Sequence, residues 1–382
     1  MRKSLLLLFL LASKPVRSMP FGFAVLISMT LLVSCGESTS ENPCSVEFDR
    51  ISMYENLAEN LIIPGFEDLV ENIDQLQAKT DLFFAEGAGE AELLALRQAF
   101  KNTYLSWQAV EPYNFGPAET VFLRDLLNNF PLNIQAMEAN VYSGNYNLNT
   151  PETYDKGLPA LDYLLFGIAD SDADIMALLK DQSQESNFFL YFNDVVASMY
   201  QASLQTLDAW QETYQAEFID NDGTAAGSSL SLMVNALNEH FEFIKRDRIG
   251  IPTGALTLQI PNPNKVEAYF SGLSRDLLVA SINSSENFYT GMGGAGLENY
   301  LSETKARKNE QLLSAVILQS YEDMRSPLAN LESSLEVEIE NNNEIVLQSY
   351  AASATQLVQL KTDMPSVLCI SITYIDNPSD SD

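Results

Sequence analysis

The sequence predicts an all-α protein organised as two helical bundles, on three observations. Apolar residues recur at three- and four-residue spacings through most of the chain, as at Leu57, Leu61, Ile62, Phe66, Leu69, Val70, Ile73 and Leu76. That is the period of a helix with one buried face. No run of alternating strand residues and no strand-helix-strand rhythm breaks the pattern. The roughly 340 residues behind the N-terminal leader exceed what one core ordinarily supports, which predicts two domains.

Residues 1–34 carry Arg2, Lys3, Lys14 and Arg17, two apolar stretches and no acidic residue, the make-up of an export signal. The second stretch, FGFAVLISMTLLVSC, ends in Leu32-Val33-Ser34-Cys35 and has the form of a bacterial lipoprotein box. Cleavage before Cys35 and acylation of its thiol would leave a body tethered by lipid in the cell envelope of a Gram-negative bacterium, periplasmic or outer-membrane anchored. Several acyl chains anchor stably where one is marginal. Met19 to Cys35 is a complete signal by itself, so either Met1 or Met19 serves as the start. A transmembrane anchor is the competing reading, and it calls for a longer apolar run. Residues 35–48, including GESTSENP, are polar and predict a flexible tether.

Residues 49–180 are expected to form the first bundle. Its opening helix should kink or split at Pro64, and a second amphipathic segment, AELLALRQAFKNTYLSWQAVEPYNFGP, ends at Gly116-Pro117. The polar stretch ADSDADIMALLKDQSQES marks a boundary near residue 180. The second bundle, 181–382, begins with NFFLYFNDVVASMYQASLQTLDAWQETYQAEF and continues through SSLSLMVNALNEHFEFIKRDRIGIP. From Leu297 to about Val367 the pattern predicts two or three helices, broken at Ser326-Pro327 and at ENNNE. The closing VLCISITYID is expected to end a helix and continue as a surface strip.

The chain holds 21 Lys+Arg against 52 Asp+Glu, and loss of the leader removes only positive charge. Such a field repels nucleic acid and anionic surfaces, gathers cations and keeps an exported protein soluble. No nucleic-acid partner is expected. With Cys35 used by the lipid, Cys44 and Cys369 remain. Outside the cytoplasm they are expected to form a disulfide joining the two ends of the mature chain, with two free thiols as the alternative.

Two motifs are decoys. Gly291-Met-Gly-Gly-Ala-Gly296 has the glycine spacing of a dinucleotide loop but lacks the preceding strand that such a loop needs. Ser302-Glu-Thr-Lys305 stands without the companion motifs of penicillin-binding enzymes. The single histidine, His240, excludes a multi-histidine zinc centre. Around it stand Glu239 and Glu242, then Lys245, Arg246, Asp247 and Arg248. That cluster reads either as a solvated, ion-paired helix face or as part of a site between the bundles. KGLPALDYLLFG, residues 156–167, reads as a helix start: Pro159 suits the first turn, where its missing N–H costs nothing, and Asp162 is favourable near the positive end of the helix dipole.

Five stretches taken in order resemble the imelysin-like family, also classed as M75 peptidases, which includes iron-regulated lipoproteins. NLAENLIIPGFEDLVENIDQLQAKTDLF is similar to its first long helix and YLSWQAVEPYNFGPAE to its Trp-bearing helix and turn. KGLPALDYLLFG is similar to its signature segment, and VEAYFSGLSRDLLVASINSSENFYTG and TDMPSVLCISITYIDNPSDSD to its later blocks. The resemblance implies two helical bundles related by duplication, with a site in the cleft between them. It also implies a signature G-x-H-x-x-E, whose His and Glu share one helix face and can point at one cation. Here the signature reads Gly157-Leu-Pro159-Ala-Leu-Asp162, so the imidazole is gone and the carboxylate is one methylene shorter.

The expectation that follows is a lipid-anchored, non-enzymatic binding protein of the envelope, associated through the family with uptake of iron or another divalent metal. Its ligand would be held by Asp162, Glu111, Arg124, Glu239 and His240. A metal-dependent peptidase is the first alternative, and it needs about three protein ligands that the chain does not supply. A non-catalytic interaction protein that presents its bundles to an envelope partner, with a vestigial cleft, is the second.

Overall fold

The computed structural model describes residues 46–151, 153–181 and 185–374. The leader, Cys35 and Cys44 lie outside the described residues. Helices α1 (Arg50–Leu57) and α2 (Ile63–Phe84) are one rod interrupted by a π-helical turn at Ala58–Ile62. Pro64 falls in the first turn of α2, where a residue without an N–H breaks no internal bond and the wider turn before it takes up the irregularity. Asp49 caps α1 by accepting from Ser52 N, and Glu92 reaches back to Gly89 N at the start of α3 (Glu90–Val110).

Short helices follow: α4 (Pro117–Thr120), α5 (Leu123–Leu127), α6 (Ile134–Ser143), α7 (Gly157–Asp162) and α8 (Asp172–Leu179). The long α9 (Glu185–Ala209) continues through a π turn into α10 (Gln215–Asp220). Then come α11 (Ser229–Phe243), α12 (Ser274–Thr290), α13 (Leu297–Glu303), α14 (Leu313–Leu328), α15 (Leu335–Val358) and α16 (Met364–Leu368). Among the described residues the strands are a two-residue hairpin, β1 (Arg307–Lys308) with β2 (Gln311–Leu312). The fold is all-α.

Helix α2 lies against both α3 and α9, and α14 lies against α15 and α12, so α9, which begins just after the boundary expected near residue 180, packs on the helices that precede it. Helix α12 also packs on α3 and so belongs to both interfaces. The apolar faces read from the sequence are buried, with Leu57, Phe66, Leu69, Ile73 and Leu76 at 0% exposure. The ENNNE break appears as a kink in α15 at Asn342 (φ −150°, ψ 50°). Pro327 lies in the last turn of α14, one residue before that helix ends. After α16 the chain runs without regular structure to residue 374. Cys369 is disulfide-bonded. No helix among the described residues is long and apolar enough to cross a membrane.

The glycine-rich decoy resolves as a helix-helix loop. Gly291 ends α12 in the left-handed region and Gly296 precedes α13. Asn56 donates to the carbonyls of Gly291 and Ala295, fixing the loop against the α1–α2 rod. Lys305 of the other decoy is exposed and ion-paired with Glu303.

Candidate functional site

Four of the five residues expected to hold a ligand converge. Glu111 opens the turn after α3, Arg124 lies on α5, and Glu239 and His240 lie on α11. Arg124 Nη1 sits 3.3 Å from Glu239 Oε1 and its Nε 3.7 Å from Glu111 Oε1. His240 Nε2 sits 3.4 Å from Glu111 Oε2 and 3.1 Å from Ser281 Oγ. The solvated reading of the 239–248 cluster therefore fails at its two most informative members, since His240 and Arg248 are 0% and 2% exposed. Arg246, on the outer side, does remain exposed.

Arg248 is the centre of the cluster. Its Nη2 donates to Glu111 Oε2 at 2.6 Å and its Nε to Glu267 Oε2 at 2.7 Å. Glu267 Oε1 accepts from Gln108 Nε2 at 2.8 Å and from Asn128 Nδ2 at 2.7 Å, and Asn128 Oδ1 accepts from the Tyr104 hydroxyl. The network joins residues 104–128 to 239–281 through buried, charge-assisted bonds. Burial works to raise the Glu111 carboxyl, but Arg248, and then His240 and Arg124, outweigh it and hold the value at about 2. Burial likewise works against the Arg248 charge, and the Glu111 and Glu267 carboxylates more than offset it. Burial pushes His240 below its ordinary value despite the pull of Glu111. Its Nδ1 has no hydrogen-bond partner.

Asp162 is the residue that does not join. Its two oxygens accept from Phe270 N at 2.9 Å and Ser271 N at 3.1 Å. It thus fastens helix α7 to the irregular stretch that also carries Glu267, a stretch in which Ala268 is held at φ 50°. The rest of the signature segment serves the same junction. Gly157 has φ 70°, and a Cβ there would lie 2.4 Å from the Leu127 carbonyl oxygen. At Gly167 a Cβ would lie 2.2 Å from the Phe270 ring, so the segment's last glycine makes room for that aromatic. Arg97 donates from Nε and Nη2 to the Leu165 carbonyl. The segment works as a clasp.

Burial pushes the Asp162 carboxyl up to about 7 against the opposing pull of its bonds to Ser271 and Phe270. A carboxyl whose folded value lies above its unfolded one keeps a proton in the fold that the unfolded chain has released. Asp162 therefore subtracts stability as pH rises from about 4 to about 7. His240, with its lowered value, acts in the opposite direction below its ordinary 6.5. The difference between wild type and Asp162→Asn isolates the first effect. Unfolding free energies across this range are expected to show the substitution improving relative to wild type as pH rises, and a constant difference would refute the assignment.

A cavity of about 340 Å³ opens beside the clasp, walled by Phe130, Pro159, Asp162 and Phe270 with Lys265 and Tyr269 among its lining. Phe130 also lies under the Arg248 guanidinium, 5.6 Å from ring centroid to Cζ, so the cavity abuts the buried network. Among the described residues no group of three or more His, Cys, Asp or Glu is arranged to hold a metal ion. The donor chemistry agrees. Pro159 offers no donor, Asp162 spends both oxygens on backbone N–H groups, and Glu111 and Glu267 are taken by arginine. The residues present do not fit a directly ligated metal.

Helical bundles with a buried polar junction and an adjoining pocket define the class. The family model for imelysin, the M75 peptidase family, matches residues 62–364, and the chain belongs to that family. It is similar in fold to a crystal structure from Parabacteroides distasonis ATCC 8503 described as an iron-regulated protein A precursor. That likeness has 17% identity over 83% of this chain and 94% of the other, with a TM-score of 0.68. An imelysin-like protein from Psychrobacter arcticum 273-4 shares 18% identity over 86% of this chain and 99% of its own, with a TM-score of 0.57. No curated protein matches the sequence.

Proposed function

We propose that this chain is a lipid-anchored, non-enzymatic binding protein of the cell envelope, working in uptake of iron or another metal that reaches it already complexed. The observation that carries the reading is the state of the signature: Pro159 has no donor and both Asp162 oxygens are occupied by Phe270 N and Ser271 N. A bare cation has no set of free ligands there. The adjoining cavity, largely apolar with Lys265 in its lining, suits a small organic molecule bearing a negative group. Similarity to a protein described as iron-regulated supports the link to iron, and the Leu32-Val33-Ser34-Cys35 stretch supports the lipid.

The test compares free iron(III), free zinc and ferric citrate as ligands for the purified body, by equilibrium dialysis. The expected result is binding of the ferric chelate, weakened about tenfold or more by Lys265→Glu, with no stoichiometric site for the free ions. Tenfold corresponds to about 1.4 kcal/mol, within reach of one lost charge pair. Stoichiometric free-metal binding, or chelator-sensitive cleavage of casein by the same preparation, would return the family's metallopeptidase reading.

A further inference from the structure

A second and larger cavity, of about 640 Å³, lies away from the signature, between α9, the α4–α5 turn and the loop after α6. Neither Pro159 nor any member of the buried network lines it. We propose that it is a binding site for a neutral saccharide.

The first ground is charge. The chain carries 52 Asp+Glu, yet this cavity is lined by a single carboxylate, Asp194, and by no Lys, Arg or His. Asp194 is moreover engaged, accepting from the Tyr146 hydroxyl at 2.8 Å. An anionic ligand would find no counter-charge and would pay desolvation without return.

The second ground is the hydrogen-bonding groups. On α9, Ser198, Gln201 and Gln205 follow Asp194 at steps of four, three and four residues and line one side, and Asn147 and Asn149 face the cavity from the loop after α6. Amides offer a donor and an acceptor on one planar group, and hydroxyls offer both on one atom. This is the complement of a ring that bears many hydroxyls, each of which also donates and accepts. Ala197 and Ala202, between the polar positions of the helix, leave the space that longer side chains would fill.

The third ground is Phe122. It lines the cavity while 54% exposed, and its backbone is in the left-handed region at φ 55°, ψ 43°. A bulky residue is rarely found there, and such strain collects at binding sites because the surrounding structure must hold it in place. The result is an aromatic ring in the cavity wall beside Val121 and Leu126. A pyranose has one face of C–H groups that suits an aromatic ring and an edge of hydroxyls that suits amides. A cavity of this size is within the range of small-ligand sites.

The test is saturation-transfer NMR followed by isothermal titration with maltotriose, cellotriose, xylotriose and tri-N-acetylchitotriose, and trigalacturonate as the charged control. The expected result is measurable binding of at least one neutral sugar and none of trigalacturonate. For that sugar, Phe122→Ala and Gln201→Leu should each raise Kd about tenfold or more. Phe122→Gly relaxes the left-handed backbone and is expected to keep or raise the thermal midpoint while losing the sugar, which separates lost binding from lost folding. Lys265→Glu should leave sugar binding unchanged, since that residue lines the other cavity. The proposal is overturned if none of the four neutral sugars binds at 10 mM (about 2.7 kcal/mol of affinity at that limit), if trigalacturonate binds best, or if Phe122→Gly binds as wild type does.

Discussion

Arg248→Ala is expected to destabilise the protein by about 3–5 kcal/mol, the cost of leaving buried charge without its partner. Arg248 is 2% exposed and pairs with Glu111 at 2.6 Å and Glu267 at 2.7 Å, and each of those carboxylates is itself only 2% exposed. Without the guanidinium, burial becomes the dominant influence on Glu111, whose value of about 2 rests first on Arg248. Because that value lies below the ordinary one, the pair stabilises above about pH 4.5 and its contribution fades as pH falls toward 2. The variant should therefore lose more at pH 7 than at pH 3. Glu111→Gln combined with Glu267→Gln in the Arg248→Met background should recover part of the loss, since neutral partners no longer need the cation. Urea unfolding followed by circular dichroism measures all of this, and a loss under about 1 kcal/mol for Arg248→Ala would show the network to be hydrated and weak.

Gly157→Val should cost about 2–5 kcal/mol, combining a left-handed backbone with an overlap that neither side can relieve. The backbone has φ 70° and the obstructing atom is a main-chain oxygen, that of Leu127, 2.4 Å from where the Cβ would be. Gly227→Ala supplies the control. It also has a positive φ, of 85°, but nothing lies within 4 Å, so only the conformational penalty of about 1–2 kcal/mol remains. Equal effects at the two positions would mean that α5 and α7 do not approach each other as described.

Both variants probe a junction whose parts differ in how far the sequence reveals them. The helices and their buried faces were legible, because a period of 3.6 residues is written locally in the chain. Glu239 and His240 were legible as part of a charged cluster near a helix end, while Glu111 and Arg124 entered only with the cleft that the family resemblance implies. Glu267 was not legible. It stands alone between Val266 and Ala268, and its partners Gln108 and Asn128 are 159 and 139 positions away. Nothing local sets it apart from the other carboxylates of a strongly acidic chain. Arg248 was visible only as one charge among several at a helix end, and only burial separates it from its exposed neighbour Arg246.

Asp162 shows the other limit. Read locally, it is a carboxylate favourably placed near a helix start; read through the family, it is the shortened remnant of a metal ligand. Its partners are backbone N–H groups 108 and 109 residues further on, a relation no side-chain pattern encodes. Its role as a clasp became visible only when Gly157, Asp162 and Gly167 were seen to serve the same junction with the Leu127 carbonyl and Phe270.

That role is the central claim, and one measurement separates it from metal ligation: the unfolding free energies of wild type and Asp162→Ala, each with chelator and with excess iron(II) or zinc. Two partly buried N–H groups deprived of their acceptor predict a loss of up to about 1–3 kcal/mol for each group left unsatisfied, already present in chelator and unchanged by metal. A ligand role predicts the opposite pattern, because a metal bound to the native state stabilises it in proportion to its affinity. A gap that is small in chelator and opens when metal is added would contradict the account.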